Sequence, residues 1–346
     1  MNRLRFAAPF AFVAAVPLLY RLSPSGPYFI PPTLLFALLV TSVIPDRAAT
    51  AGKTSIDRLL PTLYVPFHLI ILFWALQEAT RAAADTNGFL SLAISVGVCG
   101  GVFGVLAAHE LIHSRVEWHG ALGTLMLTGI GYRHFRIAHI YGHHRSAATE
   151  RDPSTARLGE SFYRFFIRTL PAQAAFAWRF EQHRLHSRGL SGVHSRVLHD
   201  IVIMMLLYGV LAALAGWKAA AFLALQSFAA VVVLELFNYV AHYGLRRSAN
   251  EPMAEHHSWN SPGAANLLIF NMGRHGAHHR APSASYATLR SAKHGPELPC
   301  GYAGAILLAL IPPLWRKTMH PRLEPVGARP PKSGYGGRAI PAAASS

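Results

Sequence analysis

Acidic residues are scarce. The 346-residue chain holds 16 Asp and Glu against 32 Lys and Arg, and only 14% of it is charged. A soluble domain carries about 25%, so an ordinary soluble domain is excluded. Cysteine is nearly absent: Cys99 and Cys300 stand far apart and form no C-x-x-C pair. That excludes a thiolate metal site, a redox dithiol and an iron–sulfur centre, which is held by four thiolates. No G-x-G-x-x-G follows a strand pattern, so a dinucleotide domain of that kind is excluded too. There is no internal repeat.

What is present is apolar and clustered. Residues 6–20, 27–45, 60–77, 88–108, 201–217 and 219–241 are runs almost free of charge. Each approaches the ~17–25 residues needed to cross a hydrocarbon core. The first is the shortest and follows Arg3 and Arg5 in the manner of a signal peptide, but no small-residue cleavage site follows it, so it is read as a span. The expected fold is therefore an all-α integral membrane protein of about six transmembrane helices. Polar blocks at about 109–200 and 246–325 complete one domain over 1–325. The tail 326–346, rich in Pro, Gly, Ser and Ala, is expected to be disordered. The stretch 119–133 is apolar but short, and is expected as a buried or re-entrant helix. With the N-terminus inside, only Arg21, Arg81 and Lys218 of the basic residues fall in outer loops. The positive-inside rule then places both polar blocks on the cytoplasmic side, with the bacterial inner membrane as the expected location. So apolar a chain is not expected to bind nucleic acid.

All histidines but His68 and His320 lie between His109 and His294. Four groups stand out: His109 and His113; His139, His143 and His144; His242; and His275, His278 and His279. On a helix, residues three or four apart share a face. The pairs His109/His113, His139/His143 and His275/His278 can therefore each serve one metal. The neighbours His143-His144 point about 100° apart, so one can reach a second ion, and His278-His279 repeat the arrangement. Nine imidazoles are too many for one ion and suit two. The ligand type leaves Fe, Zn, Cu and Ni open. His119, His134, His183, His186, His194, His199, His256, His257 and His294 lack paired spacing with these groups and are read as supporting or surface residues. "HELIH" (109–113) also satisfies the zinc-protease pattern H-E-x-x-H. That reading needs a later acidic ligand in an apolar segment, which none of the five aspartates supplies, and it leaves seven grouped histidines unexplained.

The segments "HELIHSR", "GHH" (142–144), "DPSTAR", "NYVAHYGL", "HHSWNS", "NMGRHGAHH", "YATLR" and "LPCGYAGAILLALIPPLW" resemble the membrane-bound alkane hydroxylase and xylene monooxygenase family. That family belongs to the integral-membrane di-iron group that includes fatty-acid desaturases. The resemblance implies two iron ions held by His109, His113, His139, His143, His144, His242, His275, His278 and His279. It also implies hydroxylation of a terminal methyl or similar hydrocarbon carbon with O2. The two electrons would come from a separate rubredoxin or ferredoxin-type reductase. The chain departs from the family at Ala138, Ala241 and Gly276-Ala277, where carboxylates or polar residues are usual. A lipid or fatty-acyl desaturase-type enzyme and a metal transporter or sensor are the alternatives, separable by product analysis and by metal flux. Hydrophobic substrate would enter from the bilayer, with Trp74 and the Phe and Leu side chains of the third and fourth runs as candidate tunnel lining. The inner-face arginines Arg133, Arg136, Arg145, Arg274 and Arg280 are candidates to dock an acidic donor.

Overall fold

The computed structural model describes residues 6–46, 57–82, 84–291 and 295–323, and within them the chain is helical, with no strand beyond two isolated bridges. The expected tail and His294 lie outside the described residues. The helices are α1 Ala8–Leu22, α2 Ile30–Val43, α3 Leu59–Thr80, α4 Thr86–Ile112, α5 Glu117–Gly129, α6 Phe162–Ser187, α7 Arg196–Ala215, α8 Trp217–His242, α9 His275–Arg280, α10 Gly301–Ala309 and α11 Pro312–Leu323. Four of them, α3, α4, α7 and α8, are long and apolar enough to cross a membrane. The first two apolar runs form shorter helices of 15 and 14 residues. At about 1.5 Å per residue they fall short of a ~30 Å hydrocarbon core. With its opening turn the second runs Gly26–Ser42, and the two pack as a hairpin against the longer helices. The stretch expected to be re-entrant is α5, which packs on α3 and α4.

Local chemistry sets the ends. The Asp85 carboxylate accepts the Gly88 N–H at 2.6 Å and caps α4. Ser161 and Ser195 cap α6 and α7 in the same way. Gly216, at φ +80°, turns α7 directly into α8, a conformation a residue with a Cβ rarely adopts. The core contact is α4 on α8, and it depends on small residues. A Cβ on Gly97 would lie 2.5 Å from the Gln226 carbonyl oxygen, and one on Gly101 would lie 2.6 Å from that of Ala230. This is the small-xxx-small spacing that lets membrane helices approach closely. The buried Glu235 of α8 is fully hydrogen bonded, accepting from Tyr132 Oη (3.1 Å), Gln173 Nε2 (2.9 Å) and Asn238 Nδ2 (3.2 Å).

The chain direction then places the chemistry. The ends of α4 and α8, the segment 135–146 between α5 and α6, and α9 meet at one end of the bundle. Two stretches leave the α-helical phase: Gly100–Gly104 and Ala138–His143 are π-helical, a local winding found often at functional sites.

Candidate metal centre

Nine imidazoles from those four elements form two groups. His109, His113, His139, His144 and His278 make one; His143, His242, His275 and His279 make the other. Within the first, Nε2–Nε2 separations are 3.1 Å for His113/His139, 3.0 Å for His139/His144 and 3.1 Å for His144/His278. Within the second they are 3.2 Å for His143/His279, 3.2 Å for His242/His275 and 3.1 Å for His275/His279. Nitrogens bound to one first-row ion at about 2.1 Å lie about 3.0 Å apart at a right angle and about 3.4 Å apart in a tetrahedron. The observed edges fit a shared central ion. The two groups abut, with the His144 and His279 rings 4.6 Å apart.

The electrostatics fit as well. Burial, reinforced by neighbouring imidazoles, holds His139, His144, His275, His278 and His279 well below the ordinary histidine value. They stay neutral, the form in which imidazole binds metal. Both ring nitrogens of His109 are buried without a hydrogen-bond partner. A buried polar atom left in that state is costly unless something else satisfies it, and an ion at the centre of the group would do so.

The doubled histidines divide between the groups as their spacing predicts, but two of the expected pairs are corrected. His139 shares its group with His144 rather than His143, because the π-helical turn aligns residues five apart instead of four. His275 shares with His279 rather than His278: on the short helix α9 the i,i+4 pair diverges by only about 40°, the i,i+3 pair by about 60°.

Asp152 is the residue that sequence reasoning missed. Its Oδ2 accepts from His143 Nδ1 at 2.8 Å and from the Thr155 hydroxyl at 2.7 Å, and Oδ1 accepts the Ser154 N–H at 3.1 Å. Burial would raise its carboxyl pKa, but the His143 imidazole and the Thr155 hydroxyl outweigh that and hold it below the usual value. The carboxylate thus fixes the tautomer that leaves His143 Nε2 free for a metal. The available signal was the Asp followed by Ser and Thr in "DPST", a turn-forming pattern. His242 Nδ1 donates to the His257 carbonyl at 3.3 Å, and the Met272 sulfur lies 3.4 Å from His275 Nδ1.

Three departures from the family pattern have a structural setting. Ala138 and Ala241 are buried, and the Ala241 carbonyl accepts the Trp259 N–H at 2.9 Å. Gly276 has no room for a side chain, since a Cβ would lie 2.4 Å from the Glu255 carbonyl oxygen. Glu110 of the H-E-x-x-H pattern is engaged away from the imidazole groups. Its carboxylate pairs with Arg58 Nε at 2.8 Å and accepts the Tyr286 N–H at 3.2 Å.

A third cluster, Glu251, His256 and His257, lacks the same preparation. His257 Nδ1 accepts the Ala254 N–H at 3.1 Å, so its proton sits on Nε2, facing Glu251 Oε1 at 3.1 Å. That nitrogen donates a hydrogen bond and offers no lone pair to a metal.

Beside the two groups lies an apolar cavity of 70 Å³. Val105 and Leu106, one turn before His109, form part of its wall, as do Phe237 and Tyr302. The Phe237 and Tyr302 rings stack at 4.2 Å, and Phe237 stands edge-on to His275 at 5.4 Å. Trp74 does not line this cavity and packs against Tyr20 instead.

Residues 87–325 match the fatty acid desaturase family. The chain is 38% identical over 277 residues to an alkane 1-monooxygenase of Ectopseudomonas oleovorans, covering 77% of this chain and 68% of that one. The chain belongs to the membrane-bound alkane hydroxylase and xylene monooxygenase family. It is also 35% identical over 264 residues to alkane 1-monooxygenase 2 of Alcanivorax borkumensis, covering 74% of this chain and 69% of the other. To the hydroxylase component of xylene/toluene monooxygenase from Pseudomonas putida it is 27% identical over 287 residues, 81% and 78% of the two chains. Within this family the chain is an oxidoreductase of the alkane 1-monooxygenase kind.

Proposed function

We propose that this chain is a membrane-bound non-haem di-iron monooxygenase that hydroxylates a hydrocarbon, the terminal methyl of an alkane or alkyl-aromatic. The observation that carries the reading is the pair of abutting imidazole groups beside an apolar cavity. No side chain attacks an unactivated C–H bond, so a bound iron pair would supply the redox chemistry with O2. The balance is RH + O2 + 2e⁻ + 2H⁺ → ROH + H2O. The protein's own part is placement and exclusion. Val105, Leu106 and Phe237 offer an alkyl chain a dry wall one helical turn from the histidines. Asp152 holds the proton on His143 Nδ1.

The electrons must come from outside, since two cysteines cannot hold an iron–sulfur centre. A rubredoxin or ferredoxin-type reductase approaching from the cytoplasm of a bacterial cell fits. Three of the five expected docking arginines already have acidic partners, Arg280 with Glu255 at 3.2 Å. Arg274 is buried against Asp46, and Arg133 pairs with Asp200 at 2.6 Å. Arg136, Arg145 and Arg280 remain exposed near the histidine end.

Product analysis by mass spectrometry tests the reading. Cells expressing the chain with a donor system should convert members of a panel of linear alkanes, alkyl aromatics and terpenes to alcohols. A C=C product would favour the desaturase alternative, and metal flux without product the transporter. Turnover by the purified chain with NADH and O2 alone would refute the separate donor. A reporter fused after residue 325 should be active in the cytoplasm, and activity only in the periplasm would reverse the topology.

A further inference from the structure

A groove of 550 Å³ runs between α6 and α7 and ends at the loop before segment 135–146. It changes character along its length. Arg133, His134, Arg179 and Asp200 line one part; Trp178, Ile201, Met204 and Met205 line the other. The change follows depth. Asp200 lies in the second turn of α7, at the histidine end of that span, and Met204 and Met205 lie about one turn further along it. Only 6% of the apolar window of α7 is buried within the protein, so most of this helix faces the bilayer.

The polar part is positive. Asp200 is already neutralised by Arg133 at 2.6 Å. Arg179 is exposed and has no acidic partner among the described residues. His134 Nε2 is buried in the groove wall without a hydrogen-bond partner. We propose that this groove binds an anionic phospholipid, its phosphate beside Arg179 and His134 and one acyl chain along Trp178, Met204 and Met205. Charge argues against a second copy as occupant, since the chain carries a formal +16. A free phosphate leaves the apolar half unused.

Native mass spectrometry of the full chain in detergent, with added dioleoyl phosphatidylglycerol, dioleoyl phosphatidylcholine or sodium phosphate, tests this. Phosphatidylglycerol should bind at least about fivefold more tightly than phosphatidylcholine, the contribution of roughly one arginine at a membrane surface, and phosphate should not be retained. Arg179→Glu, or the milder Arg179→Gln, should remove that preference. Ala174→Trp, which fills the groove without changing charge, should weaken both lipids. Arg316→Glu, an exposed arginine on α11, should leave the preference intact. Equal binding of the two lipids, retention of phosphate alone, equal effects of the Arg179 and Arg316 variants, or a chain dimer in place of lipid adducts would each overturn the proposal.

Discussion

The two imidazole groups share the segment 135–146 and α9, one adding α4 and the other α8, yet they are held differently. In the four-membered group all rings are buried, and His143 and His242 are each fixed at Nδ1, by Asp152 and by the His257 carbonyl. In the five-membered group His113 and His144 are only partly buried, and among the described residues no ring is hydrogen bonded to a carboxylate. The Nδ1 of His144 and both nitrogens of His109 have no partner. In the four-membered group two rings are thus oriented from outside, while the Nδ1 of His279 has no partner. The five-membered group is oriented by the packing of its own rings and by Phe135, stacked on His139 at 4.6 Å, and it is the one nearer solvent. A metal in the five-membered group should exchange faster and be the first reached by protons or chelators.

Removing a ligand from either group should have the largest effect. His279→Ala and His144→Ala should each abolish hydroxylation and lower bound iron from about two per chain to about one, by ligand count. Iron analysis with an activity assay checks both, and full activity in His144→Ala would break the division into two groups. Asp152→Asn comes next, because it separates the groups without removing a ligand. It should cost about 10–100-fold in activity or metal affinity, confined to one of the two ions. An unchanged variant would show that the carboxylate does not distinguish them.

Acid should sharpen the contrast by a smaller amount. Imidazoles whose pKa is lowered by burial bind fewer protons folded than unfolded. Their stabilising contribution is present above the ordinary value near 6.5 and is lost as pH falls below it, by up to about 1.4 kcal/mol per group per pH unit. Metal-free protein should therefore melt progressively lower from pH 7 to pH 5. Loaded protein should release iron in two steps, the five-membered group first, and His144→Ala should lack the early step. A single release step would remove the asymmetry. The smallest effect belongs to His183→Ala, an exposed histidine of α6 outside both groups. Its activity should stay within about twofold of the parent, as surface substitutions generally do.

Some of this was legible in the chain and some was not. Apolar runs mark the membrane helices because burial in lipid demands them residue by residue. Even so, the first two runs could not disclose that their helices are the shorter ones, of 15 and 14 residues. The nine histidines stand out because helical spacing of a rare residue type is a local signal. The partners of those rings are not local: His143 meets its carboxylate nine residues away, and Glu110 is claimed by Arg58 and by the backbone of Tyr286. The exposure of the five arginines was equally hidden, since Asp46, which buries Arg274, lies 228 residues earlier.

The sequence by itself determined the class of molecule, the identity of the clustered histidines and the division of each doubled histidine between two centres, because composition and short helical spacing carry that information. The tertiary structure alone decided which histidines share a centre. A π-helical turn shifts the phase of Ala138–His143 by one residue, and that shift, held by packing against α6 and the other histidine-bearing elements, moves His144 into the group that the α-helical period assigns to His143.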